Sequence, residues 1–163
     1  MTSLAAFRRT HGEPTWDDII AAQDFSLLTL AEIQAWAPGE GTAAQRLRAL
    51  SGEALRTFEA HLWAACAEAQ GKTPRPGSTA WSRAQDRWRE ALLREALLTD
   101  STAAQLARTV ERLYEQIGCP EDMLVMLRPS QVWSNTPATV DPAAVQRFLD
   151  RSQERSRRYG AAS

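Results

Sequence analysis

The sequence predicts an all-α protein, a compact orthogonal bundle of about six to eight helices. Three observations lead there. Alanine, the strongest helix former, occurs 28 times in 163 residues. Apolar residues recur at three- and four-residue intervals along most of the chain, whereas the strict alternation of a half-buried strand is hard to find. Proline and glycine fall between these periodic stretches rather than inside them, where helix ends belong.

The first signal is Thr15 followed three residues later by Asp18, the spacing of an N-terminal capping arrangement. It opens a helix over TWDDIIAAQ with Trp16, Ile19 and Ile20 on one face. Thr29-Leu30-Ala31-Glu32 is a capping box for a second helix with Leu30, Ile33 and either Trp36 or Ala37 on its apolar side. Pro38-Gly39 stops it, because proline lacks the amide and clashes with the preceding turn. A short helix runs from about Thr42 and breaks or kinks at Ser51-Gly52. A longer one over Gly52 to Gln70 carries Leu55, Phe58, Leu62 and Cys66, widened by Trp63 and Ala69. GKTPRPGST at 71–79 is the clearest loop; it could split the domain into two helical halves, although neither half is large enough to fold well alone.

Residues 80–99 place Trp81, Ala84, Trp88 and Leu92 on one face, extended by Leu93, Leu97 and Leu98. Arg83, Arg87, Glu90 and Arg94 face water, and Glu90 and Arg94 are an i,i+4 pair. Ser101 is the expected cap of a helix reaching Ile117, with Leu106, Val110, Leu113 and Ile117 as its stripe. Gly118 ends it in the left-handed conformation. Pro120 then suits the first position of a brief helix, with Glu121 and Asp122 at its positive end and Met123, Leu124 and Leu127 buried. Asp141-Pro142 starts a last helix on Val145, Phe148 and Leu149. The domain expected is a single helical one over 1–150, followed by a basic, flexible, solvated tail over 151–163.

The net charge of −1 argues against a nucleic-acid partner bound by broad phosphate neutralisation. No apolar stretch approaches the length of a membrane span, and the N-terminus reads as a loose segment without a signal peptide. Two cysteines, Cys66 and Cys119, are too few for a stapled secreted scaffold; reduced thiols and a cytoplasmic location are expected. Arginine outnumbers lysine 18 to one, a bias that genome base composition explains as well as any site does.

Catalytic and metal-binding constellations are not expected, nor is a cofactor. The two histidines, His11 and His61, lie far from Cys119 in sequence, so a base for that thiol depends on the fold. A structural turn residue is the preferred reading of Cys119, and a core residue that of Cys66. The pairs Asp17–Asp18 and Glu121–Asp122 read as helix-start charges, and Glu111–Glu115 as part of a surface ion network with Arg108 and Arg112. No HExxH, Cys-x-x-Cys, phosphate loop, dinucleotide fingerprint or GxSxG elbow is present.

Binding candidates are few. Of six tryptophans, Trp63, Trp81 and Trp88 have helical partners and belong to the core. Trp36 and Trp133 are either exposed anchors of a protein interface or plugs at the ends of the helical stack. Arg147, Arg151, Arg155, Arg157 and Arg158 outnumber Asp150 and Glu154 by three. That surplus suits a helix C-terminus, or else an acidic protein partner. Tyr114 and Glu121 flank the turn at 118–120, which is expected to bring them near each other.

Two blocks, PTWDDIIAAQDFSLLTLAEIQAWA and VERLYEQIGCPEDMLVMLRP, resemble the opening and ending of a family of small bacterial proteins, domain of unknown function family 2247. The matching features are Trp16, Asp17, Tyr114, Pro120, Glu121 and Pro129, with Cys119 where a tyrosine is expected. The resemblance covers about a quarter of the chain and brings no activity with it.

The function expected from size and class is non-enzymatic protein binding, of the kind by which an immunity protein neutralises a toxin. The partner is then a toxin domain or a second copy. A structural or regulatory homodimer is the alternative, and a small-molecule enzyme with an unfamiliar site stands behind both.

Overall fold

The computed structural model describes residues 2–127 and 139–160, the side chains of 155–160 excepted. The fold is all-α: eight α-helices and two 3-10 helices, with no strand among the described residues. The chain divides into two compact units, one ending at Gln85 and the other beginning at Asp86. The division falls inside a continuous helix, not in the 71–79 loop.

The first unit opens with a helix where the sequence suggested a loose segment. Helix α1 (Ser3–His11) is capped by the Thr2 hydroxyl, which accepts from the Ala5 amide, and Gly12 ends it at φ +75°. Leu4, Ala6 and Phe7 are buried, and His11 packs its ring on Phe7. Helix α2 (Trp16–Asp24) has the expected box: Asp18 accepts from the Thr15 amide at 2.7 Å and hydroxyl at 2.8 Å, and returns its own amide to Thr15 Oγ1. Helix α3 (Leu30–Trp36) repeats the device with Thr29 and Glu32. Leu30, expected on the apolar side, is exposed; Ile33 is the buried residue.

Helix α4 (Thr42–Ala49) has no side-chain cap of its own at its start. Glu68 supplies one from outside, its carboxylate accepting from the Ala43 amide at 2.9 Å. At the other end Gln34 donates to the Leu47 and Leu50 carbonyls at 3.0 and 2.8 Å. Arg48 returns the favour by donating to the Ala37 carbonyl that closes α3. Orphan backbone groups at both ends of a two-turn helix are thereby answered by its neighbours.

The expected long helix from Gly52 is two elements. A 3-10 helix over Gly52–Thr57 buries nothing, and α5 (Phe58–Gln70) then buries Phe58, Leu62, Ala65 and Cys66. Trp63 is half-buried and Ala69 exposed. Helix α6 (Thr79–Thr99) begins in this unit, where Trp81 meets Phe25 edge-on at 5.8 Å.

The second unit holds the rest of α6, with Trp88, Ala91, Leu93 and Ala96 buried. Leu98, expected to extend that face, is 72% exposed. Helix α7 (Ala103–Gln116) is capped one residue later than expected, by Thr102 in a box with Gln105, while the Ser101 amide and hydroxyl donate to the same Gln105 oxygen. Its stripe of Leu106, Val110, Leu113 and Ile117 is buried as the periodicity predicted. Helix α8 (Pro142–Gly160) starts at the expected Asp141-Pro142, with Asp141 accepting from the Ala143 amide. Val145, Phe148 and Leu149 are buried. Helical structure continues past residue 150, and Ser152 is buried too. No helix among the described residues is long and apolar enough to cross a membrane.

The cap on α4 predicts a specific non-additivity. Glu68→Ala should cost about 1 kcal/mol, the usual worth of an N-cap. A Cβ at Gly41 would overlap Glu68 Oε1, so Gly41→Ala must displace the carboxylate and lose the same bond. Urea unfolding of both single variants and the double should therefore show a double variant hardly less stable than either single.

Candidate functional site

The turn after α7 closes that helix in two hydrogen bonds. The Cys119 amide donates to the Tyr114 carbonyl at 2.8 Å and the Gly118 amide to the Glu115 carbonyl at 3.3 Å. This pairing is the Schellman motif. It sets Gly118 at φ +83°, which glycine adopts without penalty; Cys119 after it is also left-handed, at φ +54°, which costs a side-chain-bearing residue on the order of 1 kcal/mol. The motif commonly brings together the side chains of these same two positions, and Tyr114 has Cys119 as its polar neighbour. The Tyr114 phenol is shifted up, first by desolvation and then by the adjacent thiol.

Pro120 is not the first residue of an α-helix. It is the extended residue, at ψ 125°, before a 3-10 helix over Glu121–Val125. One turn of that tighter spiral buries Met123 and, just beyond it, Met126 and Leu127. Leu124, expected to be buried with them, is 45% exposed and Val125 is 61% exposed.

What holds this turn in place is Arg89, which the sequence reading passed over. Its guanidinium is 95% buried on α6, 2.5 Å from Asp86 and 2.7 Å from Asp122, the second residue of the 3-10 turn. It also lies over the Phe148 ring of α8, 5.1 Å from the centroid. One side chain thus ties three elements of the unit together. A nearby bond does similar work, Gln153 of α8 donating to Glu90 at 3.1 Å while Glu90 also pairs with Arg94.

The residues singled out from the sequence are placed as follows. Trp36 is half-buried and meets Trp16 edge-on with ring centroids 4.9 Å apart, in the first unit. Tyr114 is half-buried and Glu121 exposed, on either side of the turn in the second. Arg147 and Arg151 are exposed one turn apart on α8, and Arg147 lies 3.5 Å from Asp141. Asp150 and Glu154 are exposed beside them, so the described charges of this stretch balance. The surplus of positive charge belongs to Arg155, Arg157 and Arg158, whose side chains are outside the described residues, as are Trp133 and Pro129.

The thiols differ sharply. Cys119 is exposed. Cys66 has no exposed surface, and burial, with a contribution from Asp17, pushes its thiol up to about 11. The Gln70 amide donates both to Asp17 at 2.6 Å and to the Cys66 sulfur at 3.3 Å, and opposes that shift slightly. This cluster joins α2 to α5. His61 is half-buried on α5, Glu111 is half-buried and Glu115 exposed on α7. Among the described residues no group of three or more His, Cys, Asp or Glu side chains is placed to hold a metal ion.

No family model matches the chain, no curated protein matches it, and no solved structure matches it. The resemblance of the two terminal blocks therefore assigns no family, and the functional reading rests on the geometry.

Three predictions concern these side chains. Arg89→Met should cost about 3 kcal/mol, because it removes the buried cation that joins two carboxylates to the Phe148 ring. Asp122→Asn keeps a hydrogen-bond acceptor and should cost about 1 kcal/mol. Chemical denaturation gives both values, and a cost of about 1 kcal/mol or less for Arg89→Met would mean that the pair is a surface contact. Iodoacetamide at neutral pH should alkylate Cys119 readily and Cys66 only as the protein unfolds. Between an ordinary thiol pKa near 8.5 and the raised value of about 11, the unfolded chain loses the Cys66 proton while the folded chain keeps it. Stability must then fall with rising pH across that window. The wild type should lose more stability than Cys66→Ala between pH 8 and pH 10.5.

Proposed function

We propose that the protein acts by binding another protein, in the manner of an immunity protein that neutralises a cognate toxin by direct contact. The observation that supports this reading is the exposure of Leu124 and Val125 on a turn whose other apolar residues, Met123, Met126 and Leu127, are buried. Isolated exposed apolar residues such as Leu30 and Leu98 are ordinary on any surface. Two in succession, on a segment anchored through Asp122 to a buried arginine, are different. Their backbone is already fixed, so a partner would order little beyond two short side chains on docking. Exposed Glu121 precedes the pair, a polar flank of the kind that rims interfaces. The partner that fits is a folded protein with a shallow apolar pocket and a cation able to meet Glu121.

The test compares the tagged wild type with a Leu124→Asp/Val125→Asp double variant. Both should unfold at about the same urea concentration, since the replaced side chains are exposed. The wild type should retain one stoichiometric partner from an extract of the native cells, with toxin activity that the protein suppresses, and the variant should retain at least tenfold less. Equal retention by both proteins would overturn the assignment of the surface. Light scattering on the purified wild type checks the competing occupant: a dimer that the double substitution dissociates would make the pair a contact between two copies.

A further inference from the structure

We draw no further inference here: the strongest candidate, the exposed Cys119 thiol in the left-handed turn after α7 beside Tyr114, is a lone cysteine, and no second feature of the described residues points to a ligand for it.

Discussion

The second unit is organised around one buried charge. A guanidinium taken out of water costs several kcal/mol unless its donors are answered, and Arg89 is answered by carboxylates on two sides and an aromatic face. The net worth of such an arrangement is small, because attraction and desolvation nearly cancel. Its directional consequence is large. Asp86 lies one turn back on the same helix, so it holds the arginine side chain in one rotamer. Asp122 must then come to that fixed guanidinium, and the 3-10 helix carrying it is set by the requirement. With Asp122 facing Arg89 and Met123 facing the core, Leu124 and Val125 are left facing outward.

The first unit is held by a different constraint, the satisfaction of helix ends. Helices α1 to α4 span only seven to nine residues each. Segments of that length do not persist alone in water, because the cost of nucleating a helix is spread over too few hydrogen bonds. Each therefore depends on its terminal groups. Helices α1 to α3 carry their own hydroxyl caps, from Thr2, Thr15 and Thr29. Helix α4 carries none and is stabilised by Glu68 and Gln34 from its neighbours, so that its cap bonds also fix its position against α3 and α5. A local defect in capping has become a tertiary contact.

The sequence was legible where the determining interaction is local. The boxes at Thr15 and Thr29 lie within four residues, and the α7 stripe is a pure 3.6-residue period; both are found as predicted. The cap of α7 was misplaced by one position because Ser101 and Thr102 both bond Gln105, and only backbone geometry tells which is the cap. The 3-10 helix at 52–57 was merged with α5, since over a single turn periods of 3 and 3.6 residues are indistinguishable. Helix α1 has a weaker local signal, a Thr2 cap without a reciprocal acidic partner and only Leu4 and Phe7 as large apolar residues on its buried face. Arg89 had a signal as well, since it stands on the same stripe as Leu93 and Ala96, with Asp86 three residues before it. An arginine on an apolar stripe demands a partner. The partner, Asp122, is 33 residues away, and no local pattern finds it.

The 118–127 region is a corner after α7, and the proposed binding surface rests on that same corner. The Schellman bonds after α7 require one left-handed residue, Gly118, and the chain follows it with a second, Cys119, which adopts this conformation at a cost. That cost is tolerable only if the following segment returns more through packing. Met123, Met126 and Leu127 supply the packing and Asp122 the direction. That packing and the Asp122–Arg89 pair, not the strained residue, fix the path by which the chain leaves α7. Leu124 and Val125 remain in water on a segment otherwise specified in detail, which is why the proposed protein-binding surface is placed there.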